Sequence, residues 1–106
     1  MKSGRRASHT DHVVSSLRDP KEIERFTAAR QKLKQHLVHT REILNGKDFL
    51  FSGPVDELHG ALKDLVEIEH RCSRFLQFDY AQIEEYFLLR IGGLPEHSHI
   101  IESYFE

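Results

Sequence analysis

"RDPKEIERFTAARQKLKQHLVHTREILNGKDFLFS", Arg18–Ser52, decides the fold, because the layout of the chain depends on where its helix stops and its strand begins. Asp19 is placed to cap a helix and Pro20 suits its first position. Glu22, three residues past the cap, completes a capping box that would satisfy two free amides. Ile23, Phe26, Leu33, Leu37 and Leu44 recur at the spacing of one helical face, with Ala29 beside them, until Asn45 and Gly46 supply a left-handed stop. The pattern predicts one helix of about 25 residues, against a usual length of about 11 to 12. On that helix His36 and His39 share a face, and Glu42 extends it. "KDFLFS" then sets Phe49 and Phe51 on one side and Leu50 on the other, the pattern of a strand buried on at least one face.

Upstream, "HVVSSL", His12–Leu17, is short and β-branched and is expected to be a strand. Residues 1–10 carry Lys2, Arg5 and Arg6 among small polar residues without apolar periodicity, which predicts a flexible basic tail ahead of a single domain spanning 11–106. Downstream, Pro54 opens a second long helix. Val55, Leu58, Ala61, Leu62, Leu65, Ile68, Cys72 and Phe75 form its apolar stripe, with Asp56, Glu57, Lys63, Asp64, Glu67 and Arg71 opposite. "LQFDY" and "YFLLRI" alternate as two strands of a hairpin turning near Gln82–Glu85. Gly92 and Gly93 end the second strand. Pro95 opens a last short helix, anchored by Ile100, Ile101, Tyr104 and Phe105. The expected fold is α+β: a small mixed four-stranded sheet in the order β-α-β-α-β-β-α, with two long helices and a short C-terminal helix. Two helical crossovers call for parallel neighbours in that sheet.

The bulk numbers narrow the function classes. The 106 residues suit one domain, and 39% apolar with 30% charged residues is the composition of a folding chain rather than a disordered one. Fifteen Lys and Arg against seventeen Asp and Glu leave a net charge of −2, so no basic field draws the chain to nucleic acid or anionic lipid. No apolar run reaches the roughly 20 residues that span a bilayer, and the N-terminus lacks the apolar core of a secretory signal; a cytoplasmic location is expected. One cysteine forms no internal disulfide, which suits a reducing compartment.

The run "LHGALKDLVEIEHRCSRFLQFDY", Leu58–Tyr80, followed by a hairpin, "IGGLPE" and a short helix, resembles a family of small uncharacterised bacterial proteins. In that family the second long helix ends in Glu, one or two cysteines, a proline and Phe, and the genes often accompany mercury or arsenic resistance. The resemblance covers residues 48–106 and implies soft-metal handling. Where the family often has paired cysteines and proline, this chain has Cys72, Ser73 and Arg74, so a two-thiolate clamp would need the cysteine of a second copy.

Candidate chemistry gathers around Cys72 and the histidines. Arg71, Arg74 and His70 favour a thiolate at Cys72, whereas the helix C-terminus and the apolar stripe favour a buried, inert thiol. Cys72, His70, His36 and His39 are the candidate ligands for a transition or soft metal ion; for His36 and His39 the plainer reading is a solvated polar face with Lys32, Gln35 and Glu42, because their spacing alone recurs by chance. His97 and His99, two apart, diverge on a helix and converge only if that stretch is extended. Gly92 and Gly93 before Pro95 can present amides to an anion, or simply let the last helix fold back. Asp79, Glu84, Glu85 and Arg90, with His70, are the polar groups for an enzymatic reading, yet the chain lacks Gly-x-Ser-x-Gly, a Walker loop, Gly-x-Gly-x-x-Gly and His-Glu-x-x-His. The leading expectation is a non-enzymatic protein that self-associates. Leu50, Tyr86 and Leu88 occupy a strand face that three helices cannot all cover, so a homodimer through that face, or through the long helices, is expected.

Overall fold

Ser8 and Asp11 set the first element of the computed structural model, which describes residues 8–106. The Ser8 hydroxyl accepts from the Asp11 amide, and the Asp11 carboxylate accepts from the Ser8 amide, each at 3.1 Å. This capping box starts helix α1, His9–Ser16. The stretch expected as a strand at His12–Leu17 is therefore mostly helical. Val13 and Leu17 stand four apart and both reach the core while Ser15 between them is exposed, as one helical face allows; a strand would turn all three to the same side. Residues 1–7 of the expected tail lie outside the described residues, while Ser8–Thr10 form the cap and first turn of α1.

Helix α2, Pro20–Gln35, begins as expected: the Asp19 carboxylate accepts from the Lys21 amide at 2.9 Å, with Pro20 at the first position. Glu22 does not close the box. Its carboxylate instead accepts from Arg71 on the next helix. The helix also stops short, at Gln35 rather than Leu44. His36 caps it, and the Ser52 amide donates to the His36 carbonyl at 3.1 Å, opening a ladder between β1, Leu37–Ile43, and β2, Gly46–Ser52. Asn45 is left-handed as expected, at φ 60, but it serves the two-residue turn of this hairpin. Gly46 is required beside it, since a Cβ there would lie 2.5 Å from the Ile91 carbonyl oxygen. Cross-strand pairing thus overrides a helical stripe that continues through Leu37 and Leu44.

From β2 onward the elements follow the expected sequence: α3, Val55–Cys72; β3, Leu76–Ile83; β4, Tyr86–Gly93; a 3₁₀ turn, Pro95–His97; and α4, Ser98–Glu102. The fold is α+β with one four-stranded sheet, ordered β1-β2-β4-β3. Every neighbouring pair is antiparallel, so the expected mixed sheet with parallel neighbours is corrected. The cause is that α3 connects β2 to β3 with β4 inserted between them, a split β-α-β unit in which the parallel strands never touch.

The helices share one face of the sheet. Phe49 and Phe51 of β2, Phe87, Leu89 and Ile91 of β4, and Leu76 and Phe78 of β3 meet Leu58, Leu62, Leu65 and Ile68 of α3, with Phe26 and Leu33 of α2 behind. Each such side chain contributes about 1.5–3 kcal/mol by leaving water. Tyr104 and Phe105 close the end of this core, Phe105 edge-on to Phe49 and Phe51. Outside it, α2 and α3 run antiparallel and are bridged by Glu22–Arg71, Arg25–Asp64 and Lys32–Glu57.

Candidate functional site

The register of the sheet sets what its other face presents. Side chains alternate along a strand, so with Phe49, Phe51, Phe87 and Leu89 turned to the helices, Asp48, Leu50, Leu88 and Arg90 point away. Among the described residues no element packs over them. Arg41 of β1 pairs with Asp48 of β2, Asp48 with Arg90 of β4, and Arg90 with Asp79 of β3. One row therefore crosses all four strands with charges in the order plus, minus, plus, minus. Arg90 grips Asp48 with two bonds, Nε at 2.7 Å and a terminal nitrogen at 2.9 Å, while Arg41 donates to the same carboxylate at 2.9 Å.

Asp48 is 2% exposed although it stands on the open face, because the two guanidinium groups shield it. The Arg90 hydrogen bond holds its carboxyl below the ordinary carboxylate range; burial opposes this, and Arg41 reinforces it. The adjoining row is His39, Leu50, Leu88 and Ala81, one residue per strand, and beyond it stand the exposed Ile83 and Tyr86. His39, Arg41, Asp48, Leu50, Ile83 and Leu88 line a depression of about 240 Å³. Asp79 and Arg90 line a second one, of about 540 Å³, toward Ile43 and Gly92. The face combines an apolar strip with a row of alternating charge in which Asp48 is paired to Arg41 and Arg90, a composition suited to contact with another surface.

A second polar cluster lies inside the fold. Glu69 of α3 is fully buried and accepts from the Ser73 hydroxyl at 2.5 Å, the Tyr104 hydroxyl at 2.5 Å and His9 Nε2 at 3.0 Å. Burial first, then the nearby Glu69 charge, pushes the Tyr104 hydroxyl well above the ordinary tyrosine range. The arrangement is not a nucleophile-base pair, since the same His9 nitrogen that meets Glu69 is also the one 3.3 Å from Ser73. Its geometry ties α1 and the C-terminus to α3.

The four candidate metal ligands lie in three places. His36 ends α2 with its ring against Gly53 and Nδ1 3.2 Å from the Ser52 carbonyl, while His39 stands on the open face of β1. Their expected common helical face does not exist, because the helix stops at Gln35. His70 and Cys72 both end α3, but His70 meets the Phe78 carbonyl at 3.2 Å whereas Cys72 packs against the core. Burial, then Glu69, raises the Cys72 thiol above its ordinary range, with Arg71 opposing. Among the described residues no three His, Cys, Asp or Glu side chains are grouped to hold a metal ion. His97 packs against Phe75, and His99 lies on α4.

Of the polar cluster near the hairpin, Arg90 and Asp79 belong to the charge row, Glu84 and Glu85 form the turn, and His70 lies with α3 in the helical layer. Gly92 and Gly93 lie within β4, where the Gly93 amide donates to the Asn45 carbonyl at 2.9 Å. Sequence reasoning missed Asp48 and Glu69. Glu69 carried a signal, for it continues the buried stripe through Leu58, Leu62 and Leu65 at helical spacing, a charge where an apolar residue belongs. No helix of the described residues is long and apolar enough to cross a membrane. The chain matches no protein-family model, no curated protein and no solved structure.

Proposed function

We propose that this chain is a small cytoplasmic, non-enzymatic interaction domain that self-associates through the open face of its sheet. The observation that carries the reading is that Leu50 and Leu88, with Ile83 and Tyr86, stand beside a row of alternating charge on a face that no described element covers. Four strands about 4.8 Å apart, each some seven residues long at about 3.3 Å per residue, give a footprint of roughly 440 Å² per copy. That is about half of the roughly 800 Å² per partner of a standard interface, so the association is a weak one, in the micromolar range.

The soft-metal reading would join two Cys72 thiols across a dimer. Pairing through the sheet keeps them apart, because Cys72 ends α3 in the helical layer, beyond the sheet-to-sheet spacing of about 10 Å on each side. Light scattering or sedimentation from about 1 to 100 μM checks the reading. A mass that rises toward two chains in the native protein, and stays at one chain in Leu88→Lys, supports it. A monomer throughout for the native protein removes it.

A further inference from the structure

We infer that the two copies meet about a two-fold axis that runs parallel to the strands, between β2 and β4, so that each charge of the Arg41–Asp48–Arg90–Asp79 row faces its opposite. The inference rests on self-association through the open face and adds its geometry. A row that reads plus, minus, plus, minus becomes minus, plus, minus, plus when reversed. Rotation about an axis along the strands reverses strand order while keeping each row at its own height. β1 then lies over β3 of the other copy and β2 over its β4. Arg41 faces the other Asp79, and Asp48 faces the other Arg90. The adjoining row behaves in the same way, with Leu50 over the other copy's Leu88.

The competing two-fold axis, perpendicular to the strands, lays each strand over itself and brings Arg41 toward Arg41 and Arg90 toward Arg90. Like charges held together at a drying interface repel one another, so the first axis is strongly preferred. Sheets packed face to face cross at about 30° because each is twisted. At the edge strands, about 7 Å from the axis, that displaces facing residues by only some 4 Å, within the reach of an arginine side chain. Arg41 gives one terminal nitrogen to Asp48 and keeps most of its side chain in solvent, so its remaining donors can make the contact.

Arg41→Asp and Asp79→Arg test the geometry. Each variant alone places two like-charge contacts in its own dimer and is expected to dissociate at least about tenfold more readily than the native protein. An equal mixture of the two restores both contacts. The carboxylate introduced at position 41 of one chain meets the guanidinium introduced at position 79 of the other, and the unaltered Asp79 of the first meets the unaltered Arg41 of the second. The mixture is expected to form heterodimers with near-native affinity. Each chain keeps its own internal charge defect in the mixture, so the recovery can only come from across the interface.

Should either reversal unfold the chain beside Asp48 or Arg90, the neutral variants Arg41→Gln and Asp79→Asn answer the same question. Residues 41 and 79 are three strand spacings apart, about 14 Å within one chain, so they do not touch inside a chain, and a non-additive effect on dimer affinity that the urea midpoints do not share is intermolecular. A native dimer whose single reversals hold as well as the native protein, as the competing axis would allow, or whose mixed variants fail to pair, or whose neutral variants are strictly additive, overturns the axis while leaving self-association standing. A native monomer overturns self-association itself, and the axis with it.

Discussion

Tyr104 donates its hydroxyl to Glu69 at 2.5 Å, and both side chains are shut away from solvent at the junction of α3 and the C-terminal segment. Glu69 is held by donors 35 and 60 residues away in the chain, so this one carboxylate closes the fold at both ends. Removing it strands the Tyr104 hydroxyl and leaves Ser73 and His9 only each other, 3.3 Å apart. Glu69→Ala is expected to cost about 3–5 kcal/mol, from donors left unpaired at about 1–3 kcal/mol each and from the cavity left behind, read as a fall in the urea midpoint. Tyr104→Phe removes one donor and leaves the others, and about 1–3 kcal/mol is expected. Equal midpoints for Glu69→Ala and the native protein would show that the cluster holds nothing.

The same burial sets an alkaline limit. The Tyr104 hydroxyl and the Cys72 thiol are both raised above their ordinary ranges, chiefly by burial. For a group whose folded value is raised, the stabilisation is complete below the unfolded value and is lost as pH rises toward the folded one. Stability should therefore fall from the ordinary cysteine range, about 8.5, and more steeply above the ordinary tyrosine value of about 10. Urea midpoints measured across this window should separate the native protein from Tyr104→Phe, which lacks the steeper loss. Below the cysteine range Cys72 stays a thiol, so a thiol reagent should react slowly with the native protein and fully after denaturation. Cys72→Ala should cost about 1 kcal/mol of packing.

What could be read from the sequence was whatever is written in local periodicity. The stripe of α3 from Leu58 to Ile68, the alternation in β3 and β4, and the facing of Phe49 and Phe51 against Leu50 appear in the fold, whereas Val55 and Phe75 at the two ends of the expected stripe are exposed and Phe75 lies beyond the helix. β1 escaped because it is an edge strand with exposed residues on both faces, so it carries no buried alternation, while Leu37 happens to continue the helical spacing of Leu33. α1 escaped because two valines outweighed the capping box that precedes them. The apolar half of the open face was legible in Leu50, Tyr86 and Leu88. The charge row was not, since Arg41, Asp48, Arg90 and Asp79 become neighbours only through the register of four strands, which no local pattern encodes.

Glu84 opens the β3–β4 turn at φ 56, a left-handed conformation that costs a residue with an ordinary side chain about 1–2 kcal/mol. Asparagine tolerates that region, as Asn45 does in the other hairpin at φ 60. Glu84→Asn is therefore expected to raise the urea midpoint by the equivalent of about 0.5–1 kcal/mol, without touching the open face. A lower midpoint would mean that the turn is not held in this conformation.

Asp48 makes the open face respond to acid. Arg90 holds its carboxyl below the ordinary range against the opposing effect of burial, and Arg41 adds to the hold. A group with a depressed folded value contributes stability that is present above its unfolded value, about 3.9 for aspartate, and is lost as pH falls through the folded value. Asp48→Asn should thus cost about 1–3 kcal/mol at neutral pH, the worth of hydrogen bonds to a charged group. The difference from the native protein should shrink as the solution is taken below the carboxylate range, where the native Asp48 also loses its charge. The dimer should weaken over the same interval, because protonation removes the second charge of the row and leaves the facing Arg90 of the other copy without its counter-charge. Urea midpoints and sedimentation on one acid series check both effects together. A gap between native and Asp48→Asn midpoints that stays constant down to strong acid would show that the carboxylate charge does not hold the row.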